Sequence, residues 1–173
     1  MITPQDVMRV VVDDERGVDD KAFRTIEAIR PVLDQWVDRR HGLLTYRLVQ
    51  VLSGHGCFGH YLHKVAQREA STSCHECGDA DNTAQHTLEV CNRWSEQRRT
   101  LAATVGGNLS LPSVVSAMLS GEESWEAVAF FCEEVISQKE AAERVREDAV
   151  DANPLRRRRR GRRRVLFAAR LIP

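Results

Sequence analysis

The sequence lacks an apolar run of the length that a membrane-spanning helix requires. Such a helix needs about 20 consecutive apolar residues, and no stretch of this 173-residue chain comes near that length. The opening residues, MITPQDVMRVVVDDERG, also lack the basic start and the long apolar middle of a secretion signal. We therefore expect a protein without a membrane partner that acts inside the cell, where thiols stay reduced.

Strand signatures are nearly absent as well, because β-branched residues rarely alternate with polar ones. Apolar residues instead recur at spacings of three and four, which predicts amphipathic helices. With 42% hydrophobic and 29% charged residues, the chain has the composition of a globular protein. The predicted fold class is all-α, with helices over 21–37 (broken near Pro31), 43–53, 58–70, 94–105, 111–119 and 122–150.

Charge is unevenly distributed along the chain, although the formal net charge is zero. Residues 154–173 hold nine of the 25 basic residues and no acidic one, so the rest of the chain is acidic. Composition therefore divides the chain into five predicted segments. They are an irregular acidic N-terminal segment (1–20), a helical region (21–70), a cysteine-rich loop (71–95), C-terminal helices (96–150) and a disordered Arg-rich tail (151–173).

Five cysteines, an odd number in a reducing compartment, favour metal binding or free thiols over disulfides. Three of them fall in the stretch CHECGDADNTAQHTLEVC, as Cys74-x2-Cys77 followed by His86-x4-Cys91. Three thiolates and one imidazole form a tetrahedral zinc set, and two closely spaced pairs assemble it without a large core. Because protein fills all four positions, the predicted Zn²⁺ is single and structural. His75, inside the first pair, is expected to point away from the metal.

Several further motifs occur in order around this loop. They are Trp36, Arg40-His41-Gly42, Tyr46-Arg47-Leu48, the block SGHGCFGxYL from Ser53 to Leu62, and Trp94 behind the last cysteine. With the four zinc ligands, they resemble the C-terminal region of the reverse transcriptase polyprotein of jockey-like non-LTR (LINE-type) retrotransposons, over roughly residues 21–150. The resemblance implies that 21–70 follows the polymerase core and that 71–95 is a CCHC zinc knuckle. It also implies RNA or DNA as the partner during target-primed reverse transcription, with no small-molecule substrate.

The catalytic residues of a polymerase are missing from this sequence. That chemistry needs aspartates that hold two metal ions, which the resembled family carries on an F/YxDD hairpin. Asp13 and Asp14 follow three valines, but RVVVDDERG lacks the aromatic residue and any partner motif upstream. Endonuclease motifs are absent too. We therefore expect no catalysis by this chain itself. We interpret the chain as a fragment or decayed copy of a longer polyprotein, which the resemblance implies to be an RNA-directed DNA polymerase.

Two other patterns have alternative interpretations. The stretch 54–59 fits GxGxxG, but a dinucleotide site needs a strand before it, and here a helix is predicted. We therefore interpret it as a turn between two helices. His55, Cys57, His60 and His63 form a weaker second metal candidate, since the last two can equally lie on a helix surface.

Two groups of residues are candidates for contacting nucleic acid. Near the knuckle they are Arg93, Trp94, Arg98 and Arg99, cations beside an aromatic ring that can stack on unpaired bases. The alternative for Trp94 is packing under the zinc loop. In the tail they are Arg156, Arg157, Arg158, Arg159, Arg160, Arg162, Arg163 and Arg164. Phosphate binding, nuclear import and pairing with the acidic last helix are all open for this run.

The predicted function is binding of RNA or DNA by a zinc-stapled helical domain, with the nucleus favoured over the cytoplasm. A protein-interaction module, in which the zinc loop docks a partner, is the first alternative. A fragment without independent function is the second. The choice between RNA and DNA and the oligomeric state stay open at this stage.

Overall fold

Eight α-helices and three 3-10 turns form the secondary structure of residues 20–156, the part of the chain that this computed structural model describes. The helices are α1 (Asp20–Ile29), α2 (Leu33–Asp38), α3 (Tyr46–Ser53), α4 (Gly59–Lys64), α5 (Ala84–Glu89), α6 (Ser95–Val105), α7 (Leu111–Ser120) and α8 (Glu122–Asp148). The 3-10 turns are Arg30–Val32, Asn92–Trp94 and Pro154–Arg156. No strand occurs within these residues, so the all-α prediction is confirmed for them. The predictions for 1–19 and for the tail from 157 onward lie outside the described residues.

The break predicted at Pro31 separates α1 from α2. Pro31 lies in the first turn of the 3-10 segment, where a missing N–H costs little. The guanidinium of Arg24 fixes α1 against two other helices. It donates one hydrogen bond to the Val51 carbonyl of α3 (3.0 Å) and another to Gln85 Oε1 of α5 (2.6 Å).

The GxGxxG stretch forms the turn between α3 and α4. Gly54 ends α3 in the left-handed conformation with a φ of 72°, and its N–H donates to the Gln50 carbonyl at 2.9 Å. Gly56 has a φ of 111°, a conformation that favours glycine, and a Cβ there would also displace the side chain of Gln50. Because helices flank the turn on both sides, the interpretation as a turn is confirmed, and the dinucleotide alternative is wrong.

Helix α4 is shorter than the sequence predicts. The apolar spacing predicts a helix over 58–70, but α4 ends at Lys64 and Gln67 takes a φ of 52°. The N–H of Arg68 then donates to the Leu62 carbonyl (2.7 Å), and its side chain pairs with Glu147 of α8. A tertiary ion pair thus replaces the last helical turns and leads the chain toward the cysteine loop.

A cluster of aromatic rings joins α2 and the segment after it to the start of α8. Trp36 and Trp125 lie with ring centroids 5.5 Å apart, and the Arg39 guanidinium lies 4.6 and 4.7 Å from those two centroids. His41 meets Trp125 edge-on at 5.9 Å. A Cβ at Gly42 would lie 2.1 Å from Trp125, so glycine is required there. Trp36 and the His41-Gly42 part of the motif therefore serve packing, whereas Arg40 is exposed.

Helix α8 provides the central apolar face of the described residues. Its buried stripe is Trp125, Val128, Phe131, Cys132, Val135 and Ile136, and α3, α6 and α7 pack against it. Cys132 is fully buried, which confirms its prediction as a small core residue. The same apolar cluster includes Cys74, Leu88, Cys91 and Trp94. The cysteine loop is therefore continuous with the core of the surrounding helices.

Candidate metal centre

Four side chains of the cysteine-rich loop converge on one point. Cys74, Cys77, His86 and Cys91 each offer one ligand atom, and these atoms all lie within 4.8 Å of one another. The Cys74 and Cys91 sulfurs are 3.9 Å apart, and the Cys77 sulfur is 3.2 Å from His86 Nε2. The four predicted ligands thus lie close enough to bind one metal ion.

The first pair is set by a tight backbone turn. The Gly78 N–H donates to the Cys74 carbonyl and the Cys74 N–H donates to the Asp79 carbonyl, both at 2.8 Å. Gly78 has a φ of 81°, a conformation that glycine adopts without steric cost. This turn brings the sulfurs of Cys74 and Cys77 to the same side of the loop.

The second pair is set by the ends of α5. Thr83 caps this helix, because its hydroxyl accepts from the His86 N–H at 2.9 Å. The helix ends at Glu89, and the Cys91 N–H then donates to the His86 carbonyl at 2.9 Å. That wider turn returns Cys91 toward His86, as the five-residue spacing between them requires.

Burial controls the protonation of the donor atoms. It raises the pKa of the Cys74 and Cys91 thiols, and it lowers the pKa of His86. The lowered value keeps the imidazole neutral, which is the form that binds a metal. A thiolate in this setting needs a nearby cation, so deprotonation of the cysteines and metal binding are coupled.

A buried lysine that sequence reasoning missed holds the loop against α8. Lys139 is 1% exposed, and its ammonium donates to Glu76 Oε2 (3.0 Å) and Asn82 Oδ1 (3.2 Å). Burial opposes the charge on Glu76, but Lys139 and the Cys74 thiol hold the pKa of that carboxyl below its usual range. One signal was present in the sequence, since Lys139 continues the apolar spacing of α8 after Val135.

His75 points away from the ligand cluster, as predicted, and joins a second group of charges. Its Nε2 lies 3.1 Å from Glu69 Oε1 and 2.9 Å from the Arg156 guanidinium. Arg156 also pairs with Glu69 and, at 3.5 Å, with Glu143 of α8. Arg156 is 7% exposed. These carboxylates occupy its guanidinium, so a nucleic-acid contact of Arg156, which stays a prediction, would first require their displacement.

The other residues near the knuckle that were predicted to contact nucleic acid fall into two groups, one facing the interior and one exposed to solvent. Trp94 is 2% exposed and lies in the core, which agrees with the packing alternative. Arg98 donates to the Cys91 carbonyl at 2.6 Å, so it supports the loop from inside. Arg93, with its guanidinium 4.9 Å from the Trp94 ring centroid, and Arg99, paired with Glu96 at 2.8 Å, are exposed. Arg157 and the later tail arginines lie outside the described residues.

The residues of the second metal candidate have other partners. His60 pairs with Asp81 (2.8 Å), and His63 lies 2.9 Å from the Glu69 carbonyl. Cys57 is buried, and desolvation raises its pKa to about 12. Within the part of the chain that the structure describes, only the Cys74 group could hold a metal ion.

Two curated proteins share sequence with part of this chain. The first is the Retrovirus-related Pol polyprotein from type-1 retrotransposable element R1 4 of Nasonia vitripennis, 35% identical over 89 residues, which are 48% of this chain and 22% of that protein. The second is the Retrovirus-related Pol polyprotein from type-1 retrotransposable element R1 of Popillia japonica. It is 37% identical over 67 residues, 39% of this chain and 25% of that protein. These similarities support a non-LTR retrotransposon pol region as the source of the motifs.

The matches cover a limited part of each protein. They span about a quarter of the length of the curated relatives and less than half of this chain. No family model and no solved structure matches the chain. Within residues 20–156, none of the helices combines the length and the apolar character that crossing a membrane requires.

Proposed function

We propose that this chain is a nucleic-acid-binding C-terminal part of a non-LTR retrotransposon reverse transcriptase, folded around one structural zinc ion. The observation that carries the proposal is the convergence of Cys74, Cys77, His86 and Cys91, in a chain similar to two Pol polyproteins. RNA or DNA is the proposed partner, and the nucleus is the favoured compartment. We propose no catalysis by the chain alone.

The ligand separations fit zinc. Tetrahedral zinc with Zn–S bonds of about 2.3 Å and Zn–N bonds of about 2.0–2.1 Å places sulfur atoms about 3.8 Å apart, and sulfur and nitrogen about 3.5 Å apart. In this structure the corresponding separations are 3.9 Å between the Cys74 and Cys91 sulfurs and 3.2 Å between the Cys77 sulfur and His86 Nε2. Zinc would supply the attraction that holds four donors together in a polar loop. A set of three thiolates and one imidazole is also the softer type that zinc prefers.

Charges around the loop suit such an ion. Three thiolates exceed one divalent cation by one negative charge, and the carboxylate of Glu76 adds a second. The ammonium of Lys139 lies against Glu76 at 3.0 Å, and the Arg98 guanidinium donates to the Cys91 carbonyl at 2.6 Å. The two cations therefore balance the excess, which makes charged ligands tolerable in a partly buried site.

Within the Arg-rich tail, residues 157–173 carry the highest density of positive charge for binding phosphate. Residues 157–173 carry eight arginines and no acidic residue, whereas residues 20–156 hold 20 acidic and 15 basic residues. A body of net negative charge repels a polyanion, so the proposed affinity comes mainly from the tail. The knuckle contributes the exposed Arg93. It also contributes Arg99, once a phosphate replaces Glu96 as the partner of its guanidinium.

Salt-dependent binding of labelled single-stranded RNA and duplex DNA tests this proposal. The native chain is compared with a full-length variant in which Arg157–Arg160 and Arg162–Arg164 are glutamine. Each neutralised phosphate contributes about 0.7 log units of salt slope on single strands and about 0.9 on duplex DNA. With roughly four to six contacts in the tail, the variant should lose several units of slope on both ligands. Equal binding by the two proteins would contradict a nucleic-acid role for the tail.

A protein-interaction module is the second candidate function. It is favoured by the burial of Trp94 and by the hydrogen bond of Arg98 to the Cys91 carbonyl, since both residues are then withdrawn from nucleic acid. If the native chain shows no salt-dependent affinity for RNA or DNA, this candidate replaces the first.

A further inference from the structure

A groove between α6 and α8 combines apolar and acidic residues. Its apolar lining is Leu101, Ala127, Phe130 and Phe131. Its acidic rim consists of Glu96, which pairs with Arg99, and of Glu123, Glu126 and Glu134. The volume is about 380 Å³. No lysine or arginine lines it among the described residues. Phe130 is 66% exposed, a large apolar side chain at the centre of an acidic rim.

Most acids in the second half of α8 already have cationic partners. Glu140 pairs with Arg47 and Glu147 pairs with Arg68. In contrast, Glu123 and Glu126 form no ion pair with any cation of residues 24–156, the range whose side chains the structure describes. The free negative charge of α8 is therefore concentrated at the groove.

The chain itself contains a segment with matching chemistry. Residues 157–173 read RRRRGRRRVLFAARLIP, a run of seven arginines interrupted by one glycine and followed by an apolar stretch. The cations suit the acidic rim, and the apolar stretch suits Phe130. Arg156, which immediately precedes this segment, pairs with Glu143 of α8 at 3.5 Å, so the segment begins beside the helix that carries the groove.

The segment is long enough to reach the groove. Thirteen residues of α8 separate Glu143 from Phe130, a rise of about 20 Å. Phe167, in the apolar stretch, lies eleven residues beyond Arg156, and eleven extended residues span up to about 36 Å. The route must also pass around α8, since a separation of thirteen residues places the two side chains on different sides of the helix. The remaining length covers that detour.

We propose that residues 157–173 dock in the groove between α6 and α8 of the same molecule, with arginines on the acidic rim and the apolar stretch on Phe130. This docking is a contact within the protein and does not require nucleic acid. Its regulatory consequence rests on the proposed function: carboxylates of α8 and phosphates of RNA or DNA compete for the same arginines. The carboxylates of α8 then lower the affinity of the tail for RNA or DNA, and only a nucleic acid that binds the arginines more strongly than α8 does displaces them.

Amide NMR spectra of the full-length protein test the docking without nucleic acid. At about 0.05 M salt, signals from 96–104 and 123–134 should differ between the native chain and the variant with glutamine at Arg157–Arg160 and Arg162–Arg164. The difference should fade near 1 M salt, where the screening length is about 3 Å. Identical groove signals at low salt would overturn the proposal. Shifts that grow with protein concentration would also overturn it, because they indicate docking onto a second copy.

A charge-matched pair of variants tests the competition. Glu123→Gln/Glu126→Gln removes two rim charges, and Asp34→Asn/Asp38→Asn removes two exposed charges on α2, far from the groove in sequence. The first pair should raise the affinity for single-stranded RNA about three- to tenfold above the second, given the modest energy of exposed ion pairs. Equal affinities would contradict the competition. If no protein binds RNA, the proposed function fails, whereas the NMR comparison still decides the docking.

Discussion

At the scale of single residues, Lys139 connects the cysteine-rich loop (71–95) to helix α8. It is a buried cation whose ammonium contacts Glu76 and Asn82, both in the loop, from α8. Asn82 is itself 2% exposed, and its N–H donates to the Thr72 carbonyl at 2.7 Å. One side chain of α8 thus contacts both halves of the loop.

Replacing Lys139 by methionine should therefore destabilise the protein. The change keeps the volume but leaves the Glu76 carboxylate buried without its cation, a loss of about 3–5 kcal/mol. Urea unfolding of the metal-loaded protein measures the difference. The exposed Lys64, changed to methionine, is the control and should alter the free energy of unfolding by less than about 0.5 kcal/mol.

A second substitution distinguishes charge from packing at this position. Adding Glu76→Gln to Lys139→Met removes the uncompensated carboxylate and should restore part of the lost stability. If the double variant is as unstable as the sum of the two single variants, the ion pair is not the cause.

The sequence predicted the ligands but missed the residues that support them. Cys74, Cys77, His86 and Cys91 are close in sequence, and their chemistry allows few other roles in a polar loop. Lys139 lies 63 residues from its partner Glu76, so only the three-dimensional structure joins them. The pairing of Arg156 with Glu69 and Glu143 was missed for the same reason, because nothing in an arginine run indicates that one member pairs with buried acids.

At the scale of elements, the start of α4 packs directly on the backbone of Thr72 and Ser73, which leads into the cysteine-rich loop. A Cβ at Gly59 would lie 2.7 Å from the Thr72 carbonyl oxygen and 2.9 Å from that of Ser73. Both atoms belong to the backbone just before Cys74. The absence of a side chain at Gly59 therefore allows α4 and the loop to meet.

Gly59→Ala should force these two segments apart and destabilise the fold by about 1–3 kcal/mol. Thermal unfolding followed by circular dichroism measures the effect. Gly107→Ala is the matched control, because a Cβ there meets nothing within 4 Å. Equal melting temperatures for the two variants would contradict the close packing of α4 on the loop.

The contact between α3 and α8 predicts a dependence of stability on pH. A hydrogen bond from Arg47 holds the pKa of Glu133 below its usual range, despite an opposing effect of burial. A carboxyl with a lowered folded-state pKa stabilises the protein above its unfolded pKa of about 4.3 and loses that contribution as pH falls through the folded value. The stability difference between the native chain and Glu133→Gln should thus be constant above pH of about 5 and shrink below about 4.

Denaturant unfolding at several pH values checks this expectation. Both proteins keep the same metal ligands, so loss of metal at low pH affects them equally. In an Arg47→Met background the pH-dependent difference should shrink, because the guanidinium that lowers the Glu133 pKa most is gone and only the smaller effect of the Thr45 hydrogen bond remains. A difference of unchanged size there would show that Arg47 does not cause it.

Helix positions followed from the sequence better than helix ends. The breaks at Pro31 and Gly54 were predicted because proline and glycine act locally. The end of α4 was not, since Arg68 leaves the helix to pair with Glu147, 79 positions further along. Apolar spacing cannot report a contact of that kind.

At the scale of the whole molecule, residues 20–156 are helical and carry a net negative charge, whereas residues 157–173, the basic extension, carry only positive charge. The metal loop lies within the core of the helical residues, with Cys74, Cys91 and Trp94 buried alongside the α8 stripe. We therefore place nucleic-acid affinity mainly in the extension and assign folding to the metal. This division depends on one claim, that zinc occupies the four-ligand cluster.

The metal content of the purified full-length protein tests that claim most directly. Elemental analysis should find close to one zinc per chain, with the ion lost in Cys91→Ser and retained in His75→Ala. Loss of the ion should also unfold the loop, because metal binding at such sites is worth roughly 10–16 kcal/mol and appears as folding energy. Absence of zinc, two zinc ions per chain, or full retention in Cys91→Ser would contradict the account.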